Sequence, residues 1–249
     1  MSEVIPLHLV QLSVSTPALF ELAKRRRLPT RDTDVDYLVH CFTGELFGDA
    51  APKPFRVVGQ RGRYTELLGY SSVGSDELAR HARQFAEPIV HAGCDWRRFA
   101  SKTMPSEWRV GARLGFEVRA CPIVRVGRNH STLAHGAEVD IYLSRLKGGD
   151  EDAIVDREAI YCEWLKGELL RHPGADLLEA RMCAFQLGKV MRRTSGATRT
   201  SRLSQRPDVL LRGEIRVARS EEFVSLLRRG VGRHRSFGYG MLLLRPRAM

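Results

Sequence analysis

Eleven residues near the C-terminus, GVGRHRSFGYG (230–240), combine the most permissive backbone residue with the most rigid cation. Gly230, Gly232, Gly238 and Gly240 bracket Arg233, His234 and Arg235, and Arg228 and Arg229 come just before them. Glycine lets backbone N–H groups approach a ligand, and a guanidinium forks onto two oxygens of a phosphate or carboxylate. The stretch therefore reads as an anion site. A second basic stretch, RRTSGATRTSR, sets Arg192, Arg193, Arg199 and Arg202 on and beside a turn rich in hydroxyls. It reads as a solvated surface hairpin, as a polyanion contact, or as both, with ordering on binding. Elsewhere, Tyr37 and His40 are three residues apart in a helix-like run, so they share a face. Imidazole titrates near neutrality and serves as general acid or base. The same two rings would also serve as helix core. Arg25, Arg26 and Arg27 stand just before this run, as a source of positive charge or as a helix end favoured by its dipole.

The placement of charge says what kind of anion is expected. The net charge is +11, and residues 178–249 carry sixteen basic side chains against five acids. The other 177 residues balance at 24 basic and 24 acidic, so the whole excess surrounds the two arginine stretches. Such segregation points to a polyanion partner; solubility alone is the plainer reading, and it does not require segregation. Arginine dominates lysine there, which favours bidentate phosphate contact and stacking on bases. Five scattered cysteines (41, 94, 121, 162, 183) form no C-x-x-C pair, and the histidines have no ligand spacing, so no metal, cofactor or disulfide scaffold is expected. No apolar run approaches the ~20 residues of a membrane span. The N-terminal MSEVIPLHLVQLSV lacks a basic signal region and reads as a strand, which makes a reduced, cytoplasmic protein the expectation.

These residues must be held by elements. Residues 5–14 read as a strand, 16–29 as a helix stopped by Pro29, and 35–47 as a second helix capped by Asp32 to Asp34. Strands at 55–60 and 64–72 form a hairpin around Arg61-Gly62-Arg63. A helix at 75–86 is expected to be capped by Ser75, with Leu78, Ala82 and Phe85 on one face, and a strand near 95–103 closes the unit. After a linker near 103–108 the order restarts. Residues 113–126 alternate as a strand, 127–152 read as a polar, glycine-rich insertion, and 157–172 is amphipathic with Ile160, Trp164, Leu165 and Leu169 inward. Strands near 178–192 and 206–218 follow, then a helix at 220–230 capped by Ser220 and ended by Gly230, then a last strand in GMLLLRP. The expectation is an α+β protein of two tandem ferredoxin-like (RRM-like) units, each β-α-β-β-α-β, over residues 1–106 and 107–249.

At this point the motifs resemble a known family. The loop fits G-x-G-x-x-[KR]-x-x-G-x-G at every constrained position, Arg235 included, and an apolar strand follows. This resembles the loop that closes the CRISPR repeat-processing endoribonucleases, in particular the CasE branch. LGFEVRACPIVR (114–125) resembles the family's opening strand of the second domain, with Cys121 where asparagine is usual. YLVHCFTGELF (37–47) is similar to its Y-x-x-H helix. The early basic helix and the insertion at 127–152 depart from the pattern. They are what a divergent branch would show, such as the processing nucleases of type IV CRISPR systems, where arginines take over catalytic work.

The resemblance implies cleavage of the repeat hairpin of a CRISPR precursor transcript without a metal. It also implies continued binding to the product alongside other effector-complex subunits. His40 would then be the catalytic residue, with Tyr37 positioning the 2′-OH or a phosphate oxygen and Arg25 to Arg27 supplying charge. The hairpin arginines and the 228–240 loop would hold the RNA. A non-catalytic RNA-binding subunit of a CRISPR ribonucleoprotein is the alternative, and it needs no special role for Tyr37 or His40.

Overall fold

A computed structural model describes residues 5–28, 34–127, 135–146, 156–193 and 201–246, with backbone alone at 189–193 and 201–204. The first half runs β1 (His8–Ser15), α1 (Thr16–Arg25), α2 (Val35–Phe47), β2 (Phe55–Arg61), β3 (Tyr64–Ser71), α3 (Ser75–Phe85), α4 (Pro88–Ala92) and β4 (Ala100–Thr103). Its strands form an antiparallel sheet in the order β2-β3-β1-β4. The second half runs β5 (Arg113–Ala120), β6 (Ile123–Arg125), β7 (Glu138–Asp140), α5 (Ile141–Leu146), α6 (Arg157–Leu170), β8 (Ala175–Arg193), β9 (Ser201–Val217), α7 (Ser220–Arg229) and β10 (Leu243–Arg245). Its main sheet has the order β10-β5-β9-β8. Within each half the second, third, first and fourth principal strands lie in that order, so the ferredoxin-like pattern occurs twice. A doubled helix after β1, the short α4 before β4, and the β6–β7 pair with α5 after β5 are the additions.

One face of each sheet carries the core. Val10, Leu12 and Val14 of β1 meet Leu19 and Leu22 of α1, Leu38, Phe42 and Leu46 of α2, and Leu78 of α3. Phe116, Val118 and Ala120 of β5 meet Ile160, Trp164, Leu165 and Leu169 of α6 and Phe223 and Leu227 of α7. These are the period-2 and period-3.6 positions that the sequence offers.

Several expectations need correction. The N-cap of α3 is Gly74, not Ser75, whose N–H instead donates to Ser101 Oγ at 2.8 Å. Phe85 is 65% exposed, whereas Leu78 and Ala82 of the same helix are buried in the core. The N-cap of α7 is Arg219; Ser220 Oγ accepts from the Trp108 N–H at 2.8 Å. The strand expected over 113–126 breaks after Ala120, since Pro122 cannot donate to a ladder, and its second piece pairs with β7. The polar stretch 127–152 holds β7 and α5. The strand expected near 95–103 is confined to Ala100–Thr103, and the short α4 precedes it. No helix among the described residues is long and apolar enough to cross a membrane.

Candidate functional site

Helix α2 opens on Asp34, whose side chain accepts from the Asp36 N–H at 3.1 Å. Tyr37 is buried and His40 half-buried on the same side of the helix, with ring centroids 6.3 Å apart. Burial lowers the pKa of His40, helped by the charge of Lys53. The ring is therefore neutral at neutral pH and able to accept a proton. Its Nδ1 is buried and has no hydrogen-bond partner among the described residues.

The loop at 230–240 comes from the other half and stands against this helix. Phe237 stacks on Tyr37 (centroids 5.8 Å, 20°) and meets the edge of His40 (5.1 Å, 74°). Gly238 lies directly on the first turn of α2: a Cβ there would sit 2.6 Å from Asp36 Oδ1. The other three glycines are also demanded by packing. All four have φ between 71° and 78°. A Cβ at Gly230 would lie 2.6 Å from the Gly240 oxygen, at Gly232 2.8 Å from the Trp164 ring, and at Gly240 2.2 Å from the Val231 oxygen. The N–H groups of Gly230, Val231, Phe237 and Gly240 donate to the carbonyls of Leu226, Gly240, His234 and Arg119. These four amides are thus occupied by the fold.

The loop's cations divide between structure and surface. His234, in the left-handed region at φ 60°, is buried with Nε2 3.3 Å from the buried carboxylate of Glu138. Arg233 reaches Glu138 at 3.7 Å and Arg206 reaches it at 3.6 Å, and Arg233 remains 42% exposed. Arg235 donates to the Arg229 carbonyl at 2.9 Å, closing the end of α7. Burial and the neighbouring Arg235 pull Arg229 below the ordinary guanidinium range. Arg228 donates to the Ile5 carbonyl at 2.6 Å. Residues 232–237, with Ile123, Trp164, Glu168 and Arg171, line a groove of about 490 Å³. Phe237 lines this groove and also meets the rings of Tyr37 and His40.

Arg119 of β5 fastens the arrangement. It forks onto Asp208 at 2.7 and 2.8 Å, bonds Asp36 at the start of α2, and lies 4.6 Å over the Tyr239 ring. Gln186 completes the cluster by donating to Asp208 at 2.7 Å. Arg119 lies within the LGFEVRACPIVR motif, but nothing near it in the chain marks its role. Lys53, Glu138, Arg171 and Phe237 are likewise silent in the sequence, because nothing local marks which side chains meet across the two halves.

The structure does not bring Arg25 to Arg27 to the His40 ring contacts. Arg25 pairs with Glu87 at 3.0 Å and Arg26 with Glu45, and all three arginines are exposed at the end of α1. Among the described residues, Lys53 is a cation whose charge reaches His40. In the β8–β9 hairpin the backbone register sets Arg192 opposite Arg202 and Arg193 opposite Ser201. Arg199 lies outside the described residues.

Comparison with known proteins agrees with this architecture. The family model described as CRISPR associated protein matches residues 15–246. No curated protein matches the chain. Among solved structures, the CRISPR endoribonuclease Cse3 bound to 19 nt RNA is similar at 21% identity and a TM-score of 0.62, over 97% of this chain and 100% of that one. Cas6e from Escherichia coli K-12 is similar at 18% identity and a TM-score of 0.58, over 96% of this chain and 99% of that one. A chain of a CRISPR RNA-guided surveillance complex in a pre-nicking state is similar at 16% identity and a TM-score of 0.57, over 96% of this chain and 99% of that one.

Proposed function

Because the chain belongs to the family of CRISPR associated proteins, we propose that it is an endoribonuclease that cuts the repeat stem-loop of a CRISPR precursor transcript. The observation that carries this reading is the seating of the glycine-arginine loop of one half on the Tyr37–His40 face of the other, through Phe237. An RNA held along the loop would lie beside a neutral imidazole. The similar fold of an endoribonuclease bound to RNA supports the same reading.

RNA carries its own nucleophile, so the reaction needs no external one. His40 accepts the proton of a ribose 2′-OH, the 2′-oxygen attacks the adjacent phosphorus, and the bond to the 5′-oxygen breaks as that oxygen takes a proton from the imidazolium so formed or from water. The products are a 2′,3′-cyclic phosphate and a 5′-OH. Tyr37, three residues away, orients the 2′-OH or a phosphate oxygen, and Lys53 and the groove arginines offset the charge that builds on phosphorus. No step draws on a metal. Arg192, Arg193, Arg199 and Arg202 grip the stem, whose deep major groove suits an inserted arginine hairpin better than it suits base readout. After cleavage the protein stays on the stem-loop as a subunit of the effector complex, a reading supported by its likeness to a chain of a surveillance complex.

Incubating the protein with its cognate repeat RNA in EDTA tests this. Wild type should cut, His40→Ala should cut at least about 100-fold more slowly, and a 2′-deoxy nucleotide at the cut site should abolish cleavage while sparing binding. Binding without cleavage by wild type would make the chain a non-catalytic RNA-binding subunit. Full activity of His40→Ala would remove His40 from the chemistry.

A further inference from the structure

The face of the first sheet that turns away from its helices is divided in two. Register places Leu9 opposite Tyr70, Gln11 opposite Leu68, Ser13 opposite Glu66 and Ser15 opposite Tyr64. At one end Leu7, Leu9, Leu68 and Tyr70 pack into the core of the second half, and the Tyr70 hydroxyl donates to the Leu242 carbonyl at 3.0 Å. The other end, at the β2–β3 turn, stays open. It holds a hollow of about 420 Å³ lined by Ser13, Arg61, Arg63, Tyr64, Asp95 and Arg98.

Three features of this hollow lack a purpose within the fold. Ser13 is 0% exposed at its floor, and its Oγ has no hydrogen-bond partner among the described residues. A buried hydroxyl is ordinarily paired. Arg61 and Arg63 are exposed on either side of Gly62 and meet no carboxylate among the described residues. Arg98 pairs with Glu66 at 3.1 Å, and Asp95 Oδ1 accepts from the Arg97 N–H at 3.3 Å. Tyr64 is half-buried beside them with its ring on the open face.

We propose that this hollow seats a nucleotide of single-stranded RNA, with its phosphate on Arg61 and Arg63 and its base against Tyr64. An aromatic ring on an open sheet face takes any base, and guanidiniums take the backbone, so the pairing is sequence-tolerant. The hollow shares no residue with the groove at 232–237 or with the ring contacts of His40. It therefore adds a place for the unpaired RNA that flanks a stem-loop. The proposal rests on the reading of the chain as an RNA-processing protein.

Fluorescence anisotropy with two kinds of RNA, each 2′-deoxy at the cut site, separates the two ideas. One is a blunt repeat stem-loop; the other carries about six unpaired nucleotides at its 5′ or 3′ end. In wild type the extension at one end should tighten binding about tenfold. That advantage should vanish in Arg61→Ala/Arg63→Ala and in Tyr64→Ala, persist in Tyr64→Phe, and leave affinity for the blunt stem-loop unchanged. Equal affinity of wild type for blunt and extended RNA would overturn the proposal. So would an advantage that survives Arg61→Ala/Arg63→Ala, or an equal loss for both RNAs. If wild type binds the stem-loop but does not cut it, the nuclease reading fails while the comparison of extended with blunt RNA still decides this site.

Discussion

Burial of the His40 ring, more than the charge of Lys53, holds its pKa below that of free imidazole. Part of that burial is supplied by a residue about two hundred positions away, Phe237. Phe237→Ala should re-expose the ring and raise its pKa toward the ordinary value. If the neutral imidazole is the working form, the acid limb of the rate–pH profile then moves to higher pH. Cleavage at neutral pH should slow about 10- to 100-fold, with RNA affinity little changed, and Phe237→Tyr should restore much of the rate. An NMR titration of His40 beside single-turnover rates checks this; a variant with an unshifted imidazole and wild-type rate would sink the positioning role. That Tyr37 and His40 share a helix face was legible in the sequence because a three-residue spacing on a helix is a local rule. Phe237 was not, since its aromatic character is common and its contacts lie in another half of the fold. Glu138 was hidden in a stretch read as polar loop, where a carboxylate usually means solvent rather than a buried anchor for His234, Arg233 and Arg206.

At the scale of elements, the first turn of α2 is where the second half seats. Asp34 caps the helix, and its carboxyl is pushed up to about 7, first by burial and then by the charge of Asp36. An acid whose pKa is raised by folding binds its proton more tightly in the native state. Its contribution to stability is therefore full below the ordinary carboxyl range and lost as pH rises through about 7. Asp34→Asn keeps an oxygen to cap the Asp36 N–H without the charge. It should melt about 2–4 °C above wild type near pH 8 and level with it near pH 4, measured by circular dichroism. Gly238→Ala tests the seating itself. A methyl group would have to share space with the Asp36 carboxylate at a φ of 78°, so the loop should lift and cleavage should fall about tenfold or more. The helices and strands were largely readable, because their apolar periodicities are strong and unbroken. The caps at Gly74 and Arg219 were misread because a serine beside a helix start is only a weak indicator: Ser75 and Ser220 bond to other elements instead.

At the scale of the whole molecule, buried arginine–carboxylate clusters join the halves. Arg119 ties Asp36 of the first half to Asp208 of the second, and Glu117, 2% exposed, holds Arg56 of β2 together with Arg212 and Arg245. Removing one partner of such a cluster strands the others in a dry interface. Arg119→Met should cost about 3–5 kcal/mol by denaturant unfolding and slow cleavage by loosening α2 from the loop. The excess charge makes a separate prediction: RNA affinity should fall steeply with salt, and Arg192→Ala/Arg202→Ala should flatten the log–log slope by about 1–2. A flat response in wild type would contradict the footprint. By itself the sequence determined the tandem β-α-β-β-α-β order, the segregation of positive charge and the motifs that carry the family resemblance, since each depends on periodicity or on residues close in the chain. Only the tertiary structure decided that the glycine-arginine loop meets the Tyr37–His40 helix, that its glycines serve packing before any ligand, and that Arg25 and Arg26 pair with Glu87 and Glu45. Those are contacts between distant segments, set by how two sheets and their helices pack, and no local pattern encodes them.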